Sequence, residues 1–146
     1  MPTPTWTGMA VASGRMLDGW RKYAGCGSHG TCGLWQVEAG VLMGEQDLPG
    51  SGNGGLLLTD AKFGDFELKI DMRPDWGPDS GVFFRCTENG DGFQSYVDYH
   101  DGGNVGHLRG EMPGVFAMKP FQIFGVLDDE GRVTSFTTKP DPRAEK

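Results

Sequence analysis

The sequence predicts an all-β fold, and three observations predict it. Short apolar runs are separated by turn residues, with 25 Gly and 9 Pro spread over 146 residues and no low-complexity block, the punctuation expected between many short strands. Several of those runs alternate apolar and polar residues with the period of two that turns one strand face inward. No segment carries the pattern of a helix of normal length. The expected architecture is an antiparallel β-sandwich of about one domain. Its 37% hydrophobic and 11% aromatic content is enough for a modest core.

The elements follow in chain order. Residues 1–13 read as a lead-in and 14–146 as the domain. Trp35 to Leu42 reads as strand, tight turn at Glu38-Ala39-Gly40, strand. A Gly-rich loop over 44–55 precedes a short buried strand at Leu56 to Thr59. In Phe66-Glu67-Leu68-Lys69-Ile70-Asp71-Met72 the alternation is strict, which predicts a strand with Phe66, Leu68, Ile70 and Met72 in the core. Arg73 to Asp79, with two Pro and one Gly, is a loop, and Gly81 to Cys86 the next strand. Phe121 to Leu127 and Val133 to Thr138 are strands either side of a solvated corner, Asp128-Asp129-Glu130-Gly131.

Phe93 to His100 carries the most information about function. Phe93, Ser95, Val97 and Tyr99 share one face; Gln94, Tyr96, Asp98 and His100 share the other. A row of amide, phenol, carboxylate and imidazole suits a sugar-binding or catalytic surface, although a merely polar outer face has the same pattern. A hairpin about Gly102-Gly103-Asn104 is expected to bring His107 and Arg109 beside Asp98 and His100.

Charge and cysteine usage narrow the function classes. The formal net charge of −7 and the lack of a basic stripe disfavour nucleic acid as a partner. No apolar run approaches a membrane span, and Met1 to Gly14 lacks the charged start and apolar core of a signal peptide. Cys26 and Cys32 bracket a loop containing His29. Their spacing matches no standard zinc site, which favours a loop disulfide or free thiols over a metal site with His29, and Cys86 reads as a buried core thiol. Phosphate-binding loops, a nucleophile elbow and the helical zinc-protease motif are all missing from the sequence.

Four blocks in order carry a family resemblance: Gly14-Arg15-Met16-Leu17-Asp18-Gly19-Trp20; Trp35 to Leu42; Leu58-Thr59 with Phe63 to Leu68; and Asp79-Ser80-Gly81-Val82-Phe83-Phe84-Arg85. Together they resemble the 3-keto-disaccharide hydrolase family. The resemblance implies a concanavalin-like jelly roll, a carbohydrate substrate bound on the concave face, and a periplasmic or extracellular location. It also implies cleavage of 3-keto-glycosides, with loss of the C2 proton, departure of the C1 aglycone and addition of water. Such a site needs a base, a stabiliser for the enolate oxygen and an acid. The candidates are His100 or His107 as base, Arg85 or a divalent metal as oxyanion stabiliser, and Asp98 or Asp101 as metal ligand or base-orienter. Gln94, Tyr96, Arg109 and Asp101 are the substrate-binding candidates. Each has a structural alternative: Arg85 pairing with Asp79, His107 packing, Asp101 shaping its turn. A non-catalytic lectin-like module of the same fold is the competing function. The family pattern has Glu and Gln near the positions of Tyr96 and Asp98, and it continues past the Lys139-Pro140-Asp141-Pro142-Arg143 segment. The expectation is therefore a C-terminally truncated sandwich that leaves Phe121, Ile123 or Phe124 exposed.

Overall fold

The computed structural model describes residues 17–23, 32–46, 54–88, 90–111, 117–119 and 121–142. Among these residues there is no helix, and every strand pairing is antiparallel, the all-β class expected from the sequence. The chain forms two compact units, residues 1–70 and 71–146. The lead-in at 1–13 lies outside the described residues, as do Cys26 and His29.

The first unit contains β1 (Trp20–Lys22), β2 (Leu34–Glu38), β3 (Val41–Glu45) and β4 (Leu57–Thr59). β1 pairs with β4 and β2 with β3. Glu38 pairs directly with Val41, so Ala39 and Gly40 alone make the turn. Both are left-handed, with φ of 48° and 81°, the conformation a type I′ hairpin demands at both central positions. Glycine adopts it without strain, whereas the Cβ of Ala39 carries a penalty. Cys32 is disulfide-bonded, and its carbonyl accepts a 2.8 Å hydrogen bond from Trp35 Nε1.

The strand expected at Phe66 to Met72 does not form. The segment is irregular, and Phe66, Leu68, Ile70 and Met72 are exposed by 39–57%. Alternation prepares a face but supplies no hydrogen-bonding neighbour. No described strand pairs with this segment, so the pattern goes unrealised.

The second unit holds a four-stranded sheet and a hairpin. The sheet runs β5 (Gly81–Phe84), β6 (Gly92–Val97), β7 (Val105–Glu111), β8 (Ala117–Met118), and the hairpin is β9 (Phe121–Leu127) with β10 (Val133–Pro140). β5 is shorter than expected because Arg85 turns left-handed at φ 51°, leaving Cys86 half-buried outside the strand rather than in a core. Burial raises the Cys86 thiol pKa, and its Sγ donates to the Phe84 carbonyl. At the β9–β10 corner, Asp128 Oδ1 accepts from the Glu130 and Arg132 amides while Arg132 Nε donates to Oδ2. These bonds hold the Asp128 pKa below the usual carboxylate range, as suits the solvated turn that its sequence predicts.

Burial in this unit reverses the expected polarity. Phe121 and Phe124 are half-buried, and Ile123, expected among the exposed residues, is 1% exposed. Beside it the buried groups are Tyr96, Asp98, Asn104, His107 and Asp141. On the face of β6 read as polar, Tyr96 and Asp98 are buried while Gln94 and His100 are half-buried, and Phe93, Ser95, Val97 and Tyr99 opposite are all half-buried.

Replacing the strained turn residue is expected to stabilise the fold. Ala39→Asn restores the Asn-Gly pair favoured in type I′ turns and should raise stability by about 0.5–1 kcal/mol. Thermal denaturation should show a Tm increase of roughly 2–4 °C; an unchanged or lower Tm would contradict the turn assignment.

Candidate functional site

β6 is the spine of the site. Its pairing with β5 sets Gly81 opposite Tyr96 and continues past the strand ends: the Val97 amide donates to Ser80 O at 2.9 Å, Tyr99 to Pro78 O at 3.3 Å, and Gly77 to Tyr99 O at 2.8 Å. Carried along this register, Asp79 falls across from Asp98 on the face that holds Tyr96. The loop expected at Arg73 to Asp79 thus delivers a carboxylate, and it is anchored by Trp76, whose ring packs edge-on against Tyr99 at 4.9 Å.

The chain after β6 folds back as a tight clasp. Gly103 N donates to His100 O, Asp98 N to Asn104 O and Gly102 N to Ile123 O, and Ile123 N donates to Gly103 O. Gly103 is required here by close approach, since a Cβ would lie 2.1 Å from the Asp98 carbonyl oxygen. Asp101 Oδ1 accepts from Gly125 N at 2.9 Å, which ties the turn to β9.

Two clusters result. In the first, His100 Nε2 lies 2.7 Å from Asp79 Oδ1, and His100 Nδ1 is 2.9 Å from the Asp101 carbonyl oxygen. Asp79, Asp98 and His100 each present a ligand atom within 4.8 Å of the others. Burial first, then the Asp79 charge, pushes the Asp98 pKa up to about 6, against smaller lowering effects of His100, Lys119 and the Ser80 amide. Two carboxylates and an imidazole at this spacing are a donor set that suits a divalent cation. A cation would also relieve the mutual repulsion that raises Asp98.

The second cluster centres on β7. Arg109 pairs across from Gln94, and its Nη1 donates to the Tyr96 hydroxyl at 2.7 Å. Lys119 places Nζ 4.8 Å from the centre of the Tyr96 ring. His107 is 4% exposed and Asn104 3%; His107 Nδ1 and Asn104 Oδ1 are 2.9 Å apart. His107 Nε2 is buried with no hydrogen-bond partner among the described residues, and the ring stands edge-on to Phe121 at 4.5 Å. Burial and then Lys119 lower the His107 pKa, with Asp141 opposing, so neutral imidazole is the favoured form.

The expected residues are thus divided. Tyr96, Asp98, His107, Arg109 and Gln94 share the β6–β7 face, with Gln94 Nε2 donating to Ser80 O, and His100 joins Asp98 through Asp79. Arg109 lies beside Gln94 and Tyr96 rather than beside His100, because pairing fixes it there and Gly106, at φ 76°, interrupts the ladder below. Asp101 is an exposed turn anchor. Arg85 is exposed at the far end of β5, about 20 Å of extended chain from Asp79, and is not brought to the cluster. Asn104, Lys119 and Asp141 were not legible as site residues, and Asp79 only as a partner for Arg85. Their type is ordinary for turns and strand ends, and only long-range pairing gathers them.

Fold and site define an antiparallel all-β protein with a partly buried, titratable sheet face built on carboxylates, imidazoles and a Tyr–Arg pair. The chain belongs to the 3-keto-alpha-glucoside-1,2-lyase-like domain family, whose model matches residues 7–142. No curated protein and no solved structure matches it.

The raised Asp98 pKa makes a stability prediction. Because the folded value lies above the unfolded one, near 3.8, this group's contribution is fully present below about pH 4 and is lost as pH rises through about 6. In chelator-treated protein, Asp98→Asn should raise Tm by about 2–4 °C at pH 7.5 and give no gain at pH 4. A destabilised variant at pH 7.5 would show that the charge is better compensated than burial implies.

Proposed function

We propose that this domain cleaves 3-keto-glycosides by elimination, on the face formed by β6, β7 and the loop bearing Asp79. One observation carries the reading: in a chain of this family, the most deeply buried side chains of the sheet are polar and titratable. Buried polar groups cost stability, and their concentration on one face marks a functional site.

The chemistry explains the residue types. A ketone at C3 acidifies the C2 proton because the carbanion delocalises onto oxygen as an enolate. A base takes that proton and the C2–H electron pair becomes the C2–C3 double bond of the enolate. The enolate then re-forms the ketone as a C1–C2 double bond appears, and the C1–O bond breaks with its electrons on the leaving oxygen, which takes up a proton. The products are a 2-hydroxy-3-keto-glycal and the free aglycone, and water adding to the glycal gives the 3-keto sugar. The Tyr96–Arg109 pair and Gln94 are suited to bind ring hydroxyls and the leaving oxygen. Asp79, Asp98 and His100 would hold a divalent cation, which supplies Lewis-acid polarisation of the C3 carbonyl when bound. Without it the same groups bind and orient sugar hydroxyls. The Cys32 disulfide supports an oxidising compartment for the protein.

Incubation with methyl 3-keto-α-glucoside, followed by product analysis, tests the reading. Release of methanol with the 2-hydroxy-3-keto-glycal or 3-keto-glucose is expected, and chelator should lower the rate. Asp98→Ala should reduce kcat by about a hundredfold or more and leave little further effect for chelator. Saturable sugar binding with no bond cleavage would replace this reading with the lectin-like one.

A further inference from the structure

The two histidines of the site differ in what their ring nitrogens face, and that difference separates their roles. His100 has an oxygen acceptor at each nitrogen, the Asp79 carboxylate at Nε2 and the Asp101 carbonyl at Nδ1. A carbonyl accepts but cannot donate, so Nδ1 is held as the donor. The Nε2 position is committed to Asp79, or to a cation if one binds. In either state both ring nitrogens of His100 face an oxygen acceptor or a cation.

His107 is arranged the other way. Asn104 presents its carbonyl oxygen to Nδ1, which fixes the proton on that nitrogen and leaves Nε2 with a bare lone pair. Nothing among the described residues satisfies that lone pair although it is fully buried, and a buried polar atom without a partner is uncommon enough to need an explanation. Both members of the pair are more than nine-tenths buried, so the tautomer is held by a rigid neighbour, the arrangement by which an orienting group prepares a general base. Among the described residues, the other groups that face the ring are Phe121, in a T-shaped contact, and the charges of Lys119 and Asp141.

Lys119 completes the geometry. Its field reaches both Asp98 and His107, and its ammonium lies over the Tyr96 ring. The lysine cation is thus close enough to act electrostatically on both Asp98 and His107. Lysine's flexible stem lets the ammonium move aside for a sugar and remain near an enolate oxygen.

We infer that His107 Nε2 is the base that removes the C2 proton, with Asn104 as the positioning residue behind it; this rests on the 3-keto-glycoside reading above. On removal, the C2–H electron pair enters the C2–C3 bond, negative charge collects on the C3 oxygen, and the proton resides on His107 Nε2.

The test separates the base assignment from the substrate reading by following exchange of the C2 proton of methyl 3-keto-α-glucoside in deuterium oxide, alongside cleavage. Wild-type protein is expected to do both. His107→Gln should lower exchange and kcat together by about a hundredfold or more with KM changed only a few-fold. Asn104→Asp places a carboxylate behind Nδ1 and favours the imidazolium, so the acid limb of the wild-type kcat/KM profile should move to higher pH by about a unit. Should His107→Gln not fold, the Asn104→Asp shift decides. Exchange that persists in His107→Gln, or an acid limb unmoved by Asn104→Asp, overturns the His107 assignment alone. A wild-type protein that neither exchanges nor cleaves overturns the substrate reading and the base role with it.

Discussion

The functional face depends on one backbone clasp, the reciprocal pair in which Gly102 N donates to Ile123 O and Ile123 N to Gly103 O. It joins the turn after β6 to β9 and brings the least exposed apolar side chain of the unit into contact with the turn that carries the chemistry. Asp98, His100 and Asn104 all lie within this short segment, so their positions follow from the clasp. A side chain at Gly103 would drive its Cβ into the Asp98 carbonyl and push the turn away from β9, separating Asp98 from Asp79 and Asn104 from His107. The Asp101 bond to Gly125 and the packing of Trp76 on Tyr99 hold the same turn from two other directions.

The interior built this way is poor in apolar material. A carboxylate with a raised pKa, an imidazole with an unsatisfied nitrogen and a buried Asp141 all weaken the folded state relative to apolar residues of the same size. A chain selected for stability alone would replace them, and their retention is the usual mark of a site whose requirements oppose those of the core. Hydrogen bonds offset part of the cost, with Asn104 serving His107 and Arg109 serving Tyr96.

The two alternating segments show how far sequence reasoning reaches. Phe66 to Met72 has the cleaner pattern and forms no strand, whereas Gly92 to Val97 has the more polar one and becomes the central pairing strand of its sheet. Periodicity states which residues share a face; it does not state whether a neighbour will pair with them or which face will be covered. Parity nevertheless placed Gln94, Tyr96 and Asp98 on one surface correctly, because side-chain alternation is a property of the extended backbone itself. Turn chemistry likewise located the hairpin at Glu38-Ala39-Gly40, one residue wider than the Ala39-Gly40 turn that forms, since a tight turn is a local event.

The sequence by itself determined the all-β class, most strand positions, the family and the row of polar groups on β6, because each of these follows from local period, turn chemistry or motif order. Tertiary structure alone decided that Tyr96 and Asp98 of this row would be buried, that Asp79 would stand across from Asp98, that Lys119 would lie over Tyr96, and that Arg85 would stay remote. Those outcomes depend on register between segments distant in the chain, and register is set by hydrogen-bonded pairing and close backbone approach, which leave no periodic trace in the residues they bring together.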